Sequence, residues 1–209
     1  MAQTRPKGAT LVFRTDNLEE SVKLVNAINL TPTALAAMHP TDYPDLAYIL
    51  SSGESCPAAL LEKWGQHVYF CSDYGPTECS VTATCTDRLL PGTAITLSRP
   101  MDNNEIYILD SDRKLVPPGV KGDLYIAGSG VAAGYLNRET LTSERFLPCP
   151  FNDNPASKMY FAGDIATWTD SGELVFHGRD DQMVKIHGHR IELAELVWSL
   201  SSKLAWMPR

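Results

Sequence analysis

Short apolar segments alternate with helix-forming segments over residues 1–93, and this alternation restricts the possible folds more than any other feature. Runs of β-branched, aromatic and other apolar residues predict strands at 10–13, 46–50 and 68–71. The segments between them predict three helices, whose N-caps are Asp16, Thr31 and Ser55. Strands and helices that alternate along a chain are typical of a mostly parallel sheet.

From residue 94 onwards the pattern changes to short strands separated by Gly, Pro, Asp and Ser. The strand candidates are 105–109, 123–127, 158–161, 166–168 and 173–176, with one helix near 138–146. Closely spaced strands of this kind indicate an antiparallel or barrel-like region. Residues 183–186 predict a last strand and residues 192–200 a last helix. Since no later element is left for that helix to pack against, we expect the chain to be truncated.

Composition excludes several classes of protein. The 18 Lys and Arg against 25 Asp and Glu give a net charge of −7, which argues against a nucleic-acid partner because phosphate binding depends on basic clusters. No apolar run approaches the ~20 residues that span a bilayer, and no secretory signal pattern is expected at the N-terminus. The five cysteines lack CxxC spacing and predict reduced thiols. We therefore expect a cytoplasmic protein without a nucleic-acid or membrane partner.

A polar string, Asp73-Tyr74-Gly75-Pro76-Thr77-Glu78, directly follows the strand predicted at 68–71. In open α/β sheets, ligands bind at the carboxyl ends of the strands. An aromatic face can stack on a base, a hydroxyl can reach a phosphate, and a carboxylate can hold Mg²⁺. Taken alone, six residues of this kind are better explained by a polar turn with a helix-capping Thr.

Three further blocks follow in order: residues 122–136, the Tyr160-Phe161-Ala162-Gly163-Asp164 segment, and residues 178–193. In order and spacing, the four blocks resemble adenylation domains of nonribosomal peptide synthetases, which belong to the adenylate-forming superfamily. The resemblance covers residues 8–200. It implies an α/β fold: the rear of the large subdomain, with a mostly parallel sheet (1–93) and a barrel-like antiparallel region (94–180), then a hinge and the truncated start of the small C-terminal subdomain (181–209).

The resemblance also implies roles for single residues. Tyr74 matches the tyrosine that stacks on adenine, with Gly75 beside it, and Asp164 matches the aspartate that binds both ribose hydroxyls. Three residues match catalytic positions: Thr77 near the α-phosphate, Glu78 as the Mg²⁺ ligand, and Arg179 at the ribose and phosphate. Asp181 matches the hinge between the subdomains.

By the same matching, an amino-acid pocket is lined by Asn29, Leu50, Ser52, Asp73, Val81 and Thr82. The set is mostly polar, and Asp73 favours a substrate side chain with a cation or a hydroxyl. Leu50 and Val81 are also explained as ordinary core residues.

The sequence departs from the family pattern at scattered positions, including Ser72, Ala133, Phe161, Ala162, Met183, His187 and Ala194. No complete phosphate loop is found, nor the family's aspartate for the substrate amino group, nor its C-terminal catalytic lysine. Thr4-Arg5-Pro6-Lys7-Gly8 resembles only the end of the phosphate loop. Without these groups the adenylation transition state loses charge partners, so we expect the 209-residue chain to be inactive by itself.

The function implied by the resemblance is amino-acid adenylation in secondary metabolism. An amino acid and MgATP would give aminoacyl-AMP, followed by loading of the phosphopantetheine thiol of a peptidyl carrier domain next to a condensation domain. Two alternatives stay open: an acyl- or aryl-CoA ligase of the same superfamily, and a non-catalytic remnant that at most binds a nucleotide such as ATP or AMP.

Overall fold

A computed structural model describes residues 17–180, 183–186 and 189–192. Two sheets carry most of this part of the chain. The first contains five strands in the order β1 to β5, namely Ala27–Leu30, Tyr48–Ser51, Tyr69–Tyr74, Thr84–Cys85 and Arg99–Pro100. Strands β1, β2 and β3 pair in parallel, and β4 and β5 extend the sheet with antiparallel pairs. The predicted parallel pairing is therefore present, within a sheet that is mixed as a whole.

Three helices connect or precede the parallel strands: α1 at Leu18–Val22, α2 at Pro32–Ala37 and α3 at Ala58–Trp64. Short 3₁₀ turns form at Pro40–Asp42 and Thr77–Cys79. The core under this sheet is centred on Trp64, Leu35, Ile49 and Phe70, all of which are fully buried. The Trp64 indole N–H donates a hydrogen bond to the Leu35 carbonyl oxygen at 3.2 Å, which ties α3 to α2.

The second sheet is entirely antiparallel, which agrees with the barrel-like antiparallel region expected from the sequence. Its strands are β6 (Asn104–Leu109), β7 (Gly122–Gly128), β8 (Phe146–Pro148), β9 (Lys158–Trp168) and β10 (Leu174–Arg179). The order is β10-β9-β7-β6, with β8 also paired to β9. Helix α4, at Glu139–Arg145, precedes β8 and confirms the helix predicted near 138–146. A separate hairpin pairs β11 (Met183–Ile186) with β12 (His189–Glu192).

The strand predictions differ from the structure at several positions. Strand β1 was missed because Ala, Asn and Leu have weak strand propensity, and the parallel pairing with β2 supplies what local preference does not. The candidates 158–161 and 166–168 form one strand, β9, because Gly163 (φ +73°) lets the chain continue through a bulge. Glu192, predicted as helical, ends β12.

Two of the predicted N-cap residues also differ from those in the structure. Thr31 caps α2 as expected, with its Oγ1 accepting the Ala34 N–H at 3.3 Å. Helix α1 is capped by Asn17, whose Oδ1 accepts the Glu20 N–H, while Asp16 lies outside the described residues. Helix α3 begins after Pro57 without a side-chain cap, because Ser55 stands two residues too early. The strand predicted at 10–13 also lies outside the described residues.

The two sheets meet through backbone hydrogen bonds. Leu97 N–H donates to the Leu174 carbonyl at 2.7 Å, and Leu174 N–H donates to Ser98 at 2.9 Å. These bonds fix the start of β10 against the segment that leads into β5. No helix among the described residues is long and apolar enough to cross a membrane.

Trp64→Ala should lower the free energy of unfolding by about 3–5 kcal/mol, since it removes a fully buried ring and leaves a cavity. Leu24→Ala, at a side chain that is 70% exposed, is the control and should change it by less than about 0.5 kcal/mol. Urea denaturation followed by circular dichroism measures both. Equal effects of the two substitutions would contradict the placement of the core.

Candidate functional site

A cleft of about 510 Å³ lies between the two sheets, at the carboxyl ends of β2 and β3. The first sheet contributes residues 52–56 and 72–77, and the second contributes Ala162, Asp164, Phe176 and Arg179. Val81, residues 95–97 and Met183 complete the wall. The carboxyl end of parallel strands is the usual ligand position in open α/β sheets, so the cleft is where the sequence predicts a site.

The turn after β3 is shaped by Gly75. A Cβ at this position would lie 2.3 Å from the Val81 carbonyl oxygen and 2.7 Å from the Ala83 backbone nitrogen, so only glycine fits. The chain then turns back, and the Ala83 N–H donates to the Tyr74 carbonyl at 2.8 Å. Val81 has φ +81°, an unusual conformation for a β-branched residue. Backbone strain of this kind concentrates at functional sites.

Asp164 is the central charged residue of the cleft, and its side chain is almost fully buried. Arg179 Nη1 donates to Asp164 Oδ1 at 2.5 Å, and its Nη2 donates to the Ala162 carbonyl at 2.9 Å. The Tyr74 hydroxyl donates to Asp164 Oδ2. Burial, and then the negative charge of Asp164, raise the pKa of Tyr74 well above its ordinary value. The structure therefore brings together three of the predicted nucleotide-binding residues, from two different sheets.

The register of β9 and β10 explains how Arg179 reaches Asp164. The two residues are direct cross-strand partners, and a register shift between Phe176 and Gly178 sets this pairing. Both strands have a glycine with positive φ beside the pair, Gly163 and Gly178. Directly opposite charged side chains on antiparallel strands attract one another, and here the pair is also shielded from water.

Thr77 lines the cleft, whereas Glu78, the next residue, does not. The Glu78 side chain is buried, and its Oε1 accepts a hydrogen bond from the Tyr135 hydroxyl at 2.6 Å. The Tyr160 hydroxyl lies 3.3 Å from that of Tyr135. Burial, followed by the hydrogen bond to Tyr135, raises the pKa of Tyr160. Glu78 is thus enclosed by two tyrosine hydroxyls.

No sequence pattern indicated a role for Tyr135 or Tyr160. Both belong to recognised blocks, but a separation of 57 residues between Glu78 and Tyr135 gives no local signal of contact. Two more bonds join the same segments: Ala132 N–H donates to the Glu78 carbonyl at 2.8 Å, and Ser80 Oγ donates to the Gly130 carbonyl at 2.8 Å. These hydrogen bonds therefore connect the turn after β3 to the loop after β7.

Four of the predicted amino-acid pocket residues form two hydrogen-bonded pairs. Ser52 Oγ donates to Asn29 Oδ1 at 2.5 Å, and Thr82 Oγ1 donates to Asp73 Oδ2 at 2.6 Å. Asp73 is buried. Asn29 and Leu50 are register partners on β1 and β2, so they share one face of the sheet.

Ser52, Asp73 and Val81 line the cleft, so the predicted pocket adjoins the predicted nucleotide site. Val81 is 39% exposed, which does not fit the alternative that it is a core residue. The hinge candidate Asp181 lies outside the described residues.

The cysteines do not suggest a metal or disulfide site. All five are free thiols. Hydrogen bonding from Cys85, partly opposed by burial, lowers the pKa of Cys71 to about 7. The described residues contain no group of three or more His, Cys, Asp or Glu side chains that could hold a metal ion.

Comparisons with known proteins agree with this picture. The family model described as "AMP-binding enzyme" matches residues 6–136. Novobiocin biosynthesis protein H of Streptomyces niveus is 43% identical over 172 residues, which are 82% of this chain and 28% of that protein. Nonribosomal peptide synthetase 5 of Aspergillus fumigatus is 41% identical over 199 residues, 95% of this chain and 9% of that protein. The chain thus spans less than a third of either relative.

Solved structures confirm the predicted fold class. A nonribosomal peptide synthetase protein containing adenylation and PCP domains, bound to a vinylsulfonamide inhibitor, superposes with a TM-score of 0.79 at 22% identity. The match covers 87% of this chain and 34% of that one. The α/β part and the curled antiparallel part are therefore pieces of one known architecture.

Asp164→Asn should lower the free energy of unfolding by about 3 kcal/mol, because it leaves the mostly buried Arg179 cation without its counter-ion. Asp112→Asn is the matched control: the Lys114–Asp112 pair, at 3.7 Å, is about three-quarters exposed on both sides and should contribute almost nothing. Chemical denaturation at neutral pH compares the two variants. Similar losses in both would contradict the assignment of a buried ion pair to the cleft.

Proposed function

The chain belongs to the AMP-binding enzyme family, and from that premise we propose that it is the part of an amino-acid adenylation domain that holds the nucleotide and one side of the amino-acid pocket. The observation that carries the proposal is the cluster of Tyr74, Asp164 and Arg179 in the cleft between the sheets. The relatives named as a nonribosomal peptide synthetase and a novobiocin biosynthesis protein support a role in secondary metabolism.

The residues of the cleft fit a nucleotide. A volume of about 510 Å³ falls within the usual range for small-molecule sites. Asp164 supplies acceptor oxygens for a vicinal diol, and Arg179 supplies a fixed cation near the phosphate. Ile95, Leu97 and Phe176 add apolar wall against which a base can pack.

The residues at the cleft would hold Mg²⁺ only together with the phosphates of a bound nucleotide. Glu78 is a carboxylate next to Thr77 of the cleft, and Mg²⁺ commonly takes one or two carboxylates together with substrate phosphates and water. Since the described residues hold no cluster of three metal-binding side chains, the phosphates of ATP would provide the other ligands. Bound there, the ion would neutralise the charge that develops on the phosphates.

The amino acid would lie beside Asp73. The buried Asp73–Thr82 pair and the Asn29–Ser52 pair give this side of the pocket carboxylate, hydroxyl and amide groups. A cationic or hydroxyl-bearing substrate side chain would satisfy these groups, whereas an apolar one would leave them unpaired. This polarity favours the amino-acid branch over an acyl- or aryl-CoA ligase, for which no structural observation speaks.

In the proposed reaction, a carboxylate oxygen of the amino acid forms a bond to the α-phosphorus of ATP. The bond from that phosphorus to the oxygen bridging to the β-phosphate breaks, and pyrophosphate leaves with the electron pair. Arg179 would stabilise the charge on the α-phosphate, and Thr77 would donate a hydrogen bond to it. Asp164, fixed by its cross-strand pair, would orient the ribose.

The product aminoacyl-AMP would then react with a carrier thiol. The sulfur of phosphopantetheine, on a peptidyl carrier domain, would attack the carbonyl carbon and release AMP. An adjoining condensation domain would use the thioester. The solved structure of a protein that contains adenylation and PCP domains together supports a carrier domain as the partner.

We expect the 209-residue chain to bind AMP but not to exchange pyrophosphate into ATP, because the family's phosphate loop and catalytic lysine are not found in it. Asp164→Ala should weaken AMP binding by at least about 10-fold, since a charged hydrogen-bond acceptor for the ribose is lost. Glu78→Gln should weaken only binding that depends on Mg²⁺. Calorimetric titrations with AMP, and with ATP with and without Mg²⁺, measure these effects.

Asp112→Asn serves as the control and should bind like the unchanged chain. Unaltered binding in both the Asp164 and Glu78 variants would refute the site. If the unchanged chain binds no nucleotide at all, the result would favour the alternative of a non-catalytic remnant that binds no ligand. Amino-acid-dependent pyrophosphate exchange by the isolated chain would show that the expectation of inactivity is wrong.

A further inference from the structure

We propose that the Tyr74 hydroxyl and the ribose diol of the nucleotide compete for one carboxylate, Asp164, so that the hydroxyl of Tyr74 sets the nucleotide affinity. The inference rests on the proposed nucleotide function of the cleft. It adds to the stacking role implied for the Tyr74 ring a separate and opposing role for its oxygen.

The first observation is that both oxygens of Asp164 are engaged. Oδ1 accepts from Arg179 at 2.5 Å, and Oδ2 accepts from the Tyr74 hydroxyl. The side chain of Asp164 is only 5% exposed, so water contributes little to its solvation. A buried carboxylate is costly unless it is hydrogen-bonded, and Tyr74 supplies that bond when no diol is present.

The second observation identifies which partner a diol would replace. Arg179 and Asp164 carry opposite charges, and a hydrogen bond between two ions is stronger than one from a neutral phenol. The Arg179 side chain is also held by the Ala162 carbonyl. Breaking the Tyr74 bond is therefore the less costly step.

The third observation concerns which of the two partners of Asp164 can separate from it. Asp164 and Arg179 are paired within one sheet, on β9 and β10. Tyr74 is the last residue of β3 in the other sheet and stands directly before the Gly75 turn. In the proposed exchange the Tyr74 hydroxyl leaves Asp164 while the β9–β10 pair is kept, and the Tyr74 ring still lines the cleft, where a base can pack on it.

Part of the free energy of ribose binding therefore offsets the loss of the Tyr74–Asp164 hydrogen bond. Removing the hydroxyl should improve the binding of any nucleotide that has the diol and should not affect a nucleotide that lacks it. The effect expected from one neutral hydroxyl is about 2- to 10-fold in the dissociation constant. A tyrosine that only stacked on the base would show no such dependence on the ribose.

The test compares the unchanged chain with Tyr74→Phe in calorimetric titrations with AMP and with 2′,3′-dideoxyadenosine monophosphate, both without metal. We expect Tyr74→Phe to bind AMP about 2- to 10-fold more tightly and the dideoxy nucleotide with unchanged affinity. Tyr107→Phe is the matched control, because the Tyr107 hydroxyl also donates to a carboxylate, Glu105 at 2.7 Å, away from the cleft. It should leave both affinities unchanged.

Equal or weaker AMP binding by Tyr74→Phe overturns the inference while leaving the proposed function intact, since the unchanged chain still binds AMP. An equal gain for both nucleotides also overturns it, because the diol is then not involved. Failure of the unchanged chain to bind either nucleotide removes the proposed nucleotide function, and the inference with it.

If Tyr74→Phe does not fold, NMR spectra of the unchanged chain labelled with ¹³Cζ-tyrosine test the same inference. One tyrosine Cζ resonance should change with AMP to a clearly greater extent than with the dideoxy nucleotide, as its hydroxyl leaves Asp164. Equal responses to the two nucleotides, or none to AMP, overturn the inference.

Discussion

The carboxylate of Asp164 is the point on which the cleft depends. It lies on β9 of the antiparallel sheet, forms an ion pair with Arg179 on β10, and accepts a hydrogen bond from Tyr74 at the end of β3 in the other sheet. A single buried charge therefore links two sheets across the space where a ligand would bind. Because a buried anion must be hydrogen-bonded or paired, Asp164 joins the two walls of the cleft through Tyr74 on one side and Arg179 on the other.

A second set of contacts repeats this arrangement behind the turn. Glu78 accepts from Tyr135, and two backbone-directed bonds, from Ala132 and Ser80, join the same two segments. Asp164 and Glu78, the two carboxylates that the family resemblance assigns to the nucleotide and its metal, thus each accept a hydrogen bond from a tyrosine hydroxyl. Under the proposed function, ligand binding at these carboxylates is an exchange of partners. Affinity then depends on the difference between two sets of bonds.

Sequence patterns predicted most of the longer strands, but not strand β1 or the bulge within β9. Strands β2, β3, β6, β7 and β10 were recognisable from β-branched and apolar runs. Strand β1 was not, since it depends on pairing with β2 more than on its own residues. The interruption expected around Ala162-Gly163-Asp164 was instead a bulge within β9, because a glycine can take a positive φ without leaving the sheet.

The order of residues along the chain specifies which groups are available for chemistry: an aromatic residue, a hydroxyl and carboxylates after one strand, then Asp164 and Arg179 much later. Which of these groups come into contact depends on the tertiary structure. The contacts Tyr74–Asp164 and Glu78–Tyr135 cross 90 and 57 positions of the chain, and they form because strand register and sheet packing bring distant backbone segments together. No local pattern records such distances, since register is set by pairing across the whole sheet.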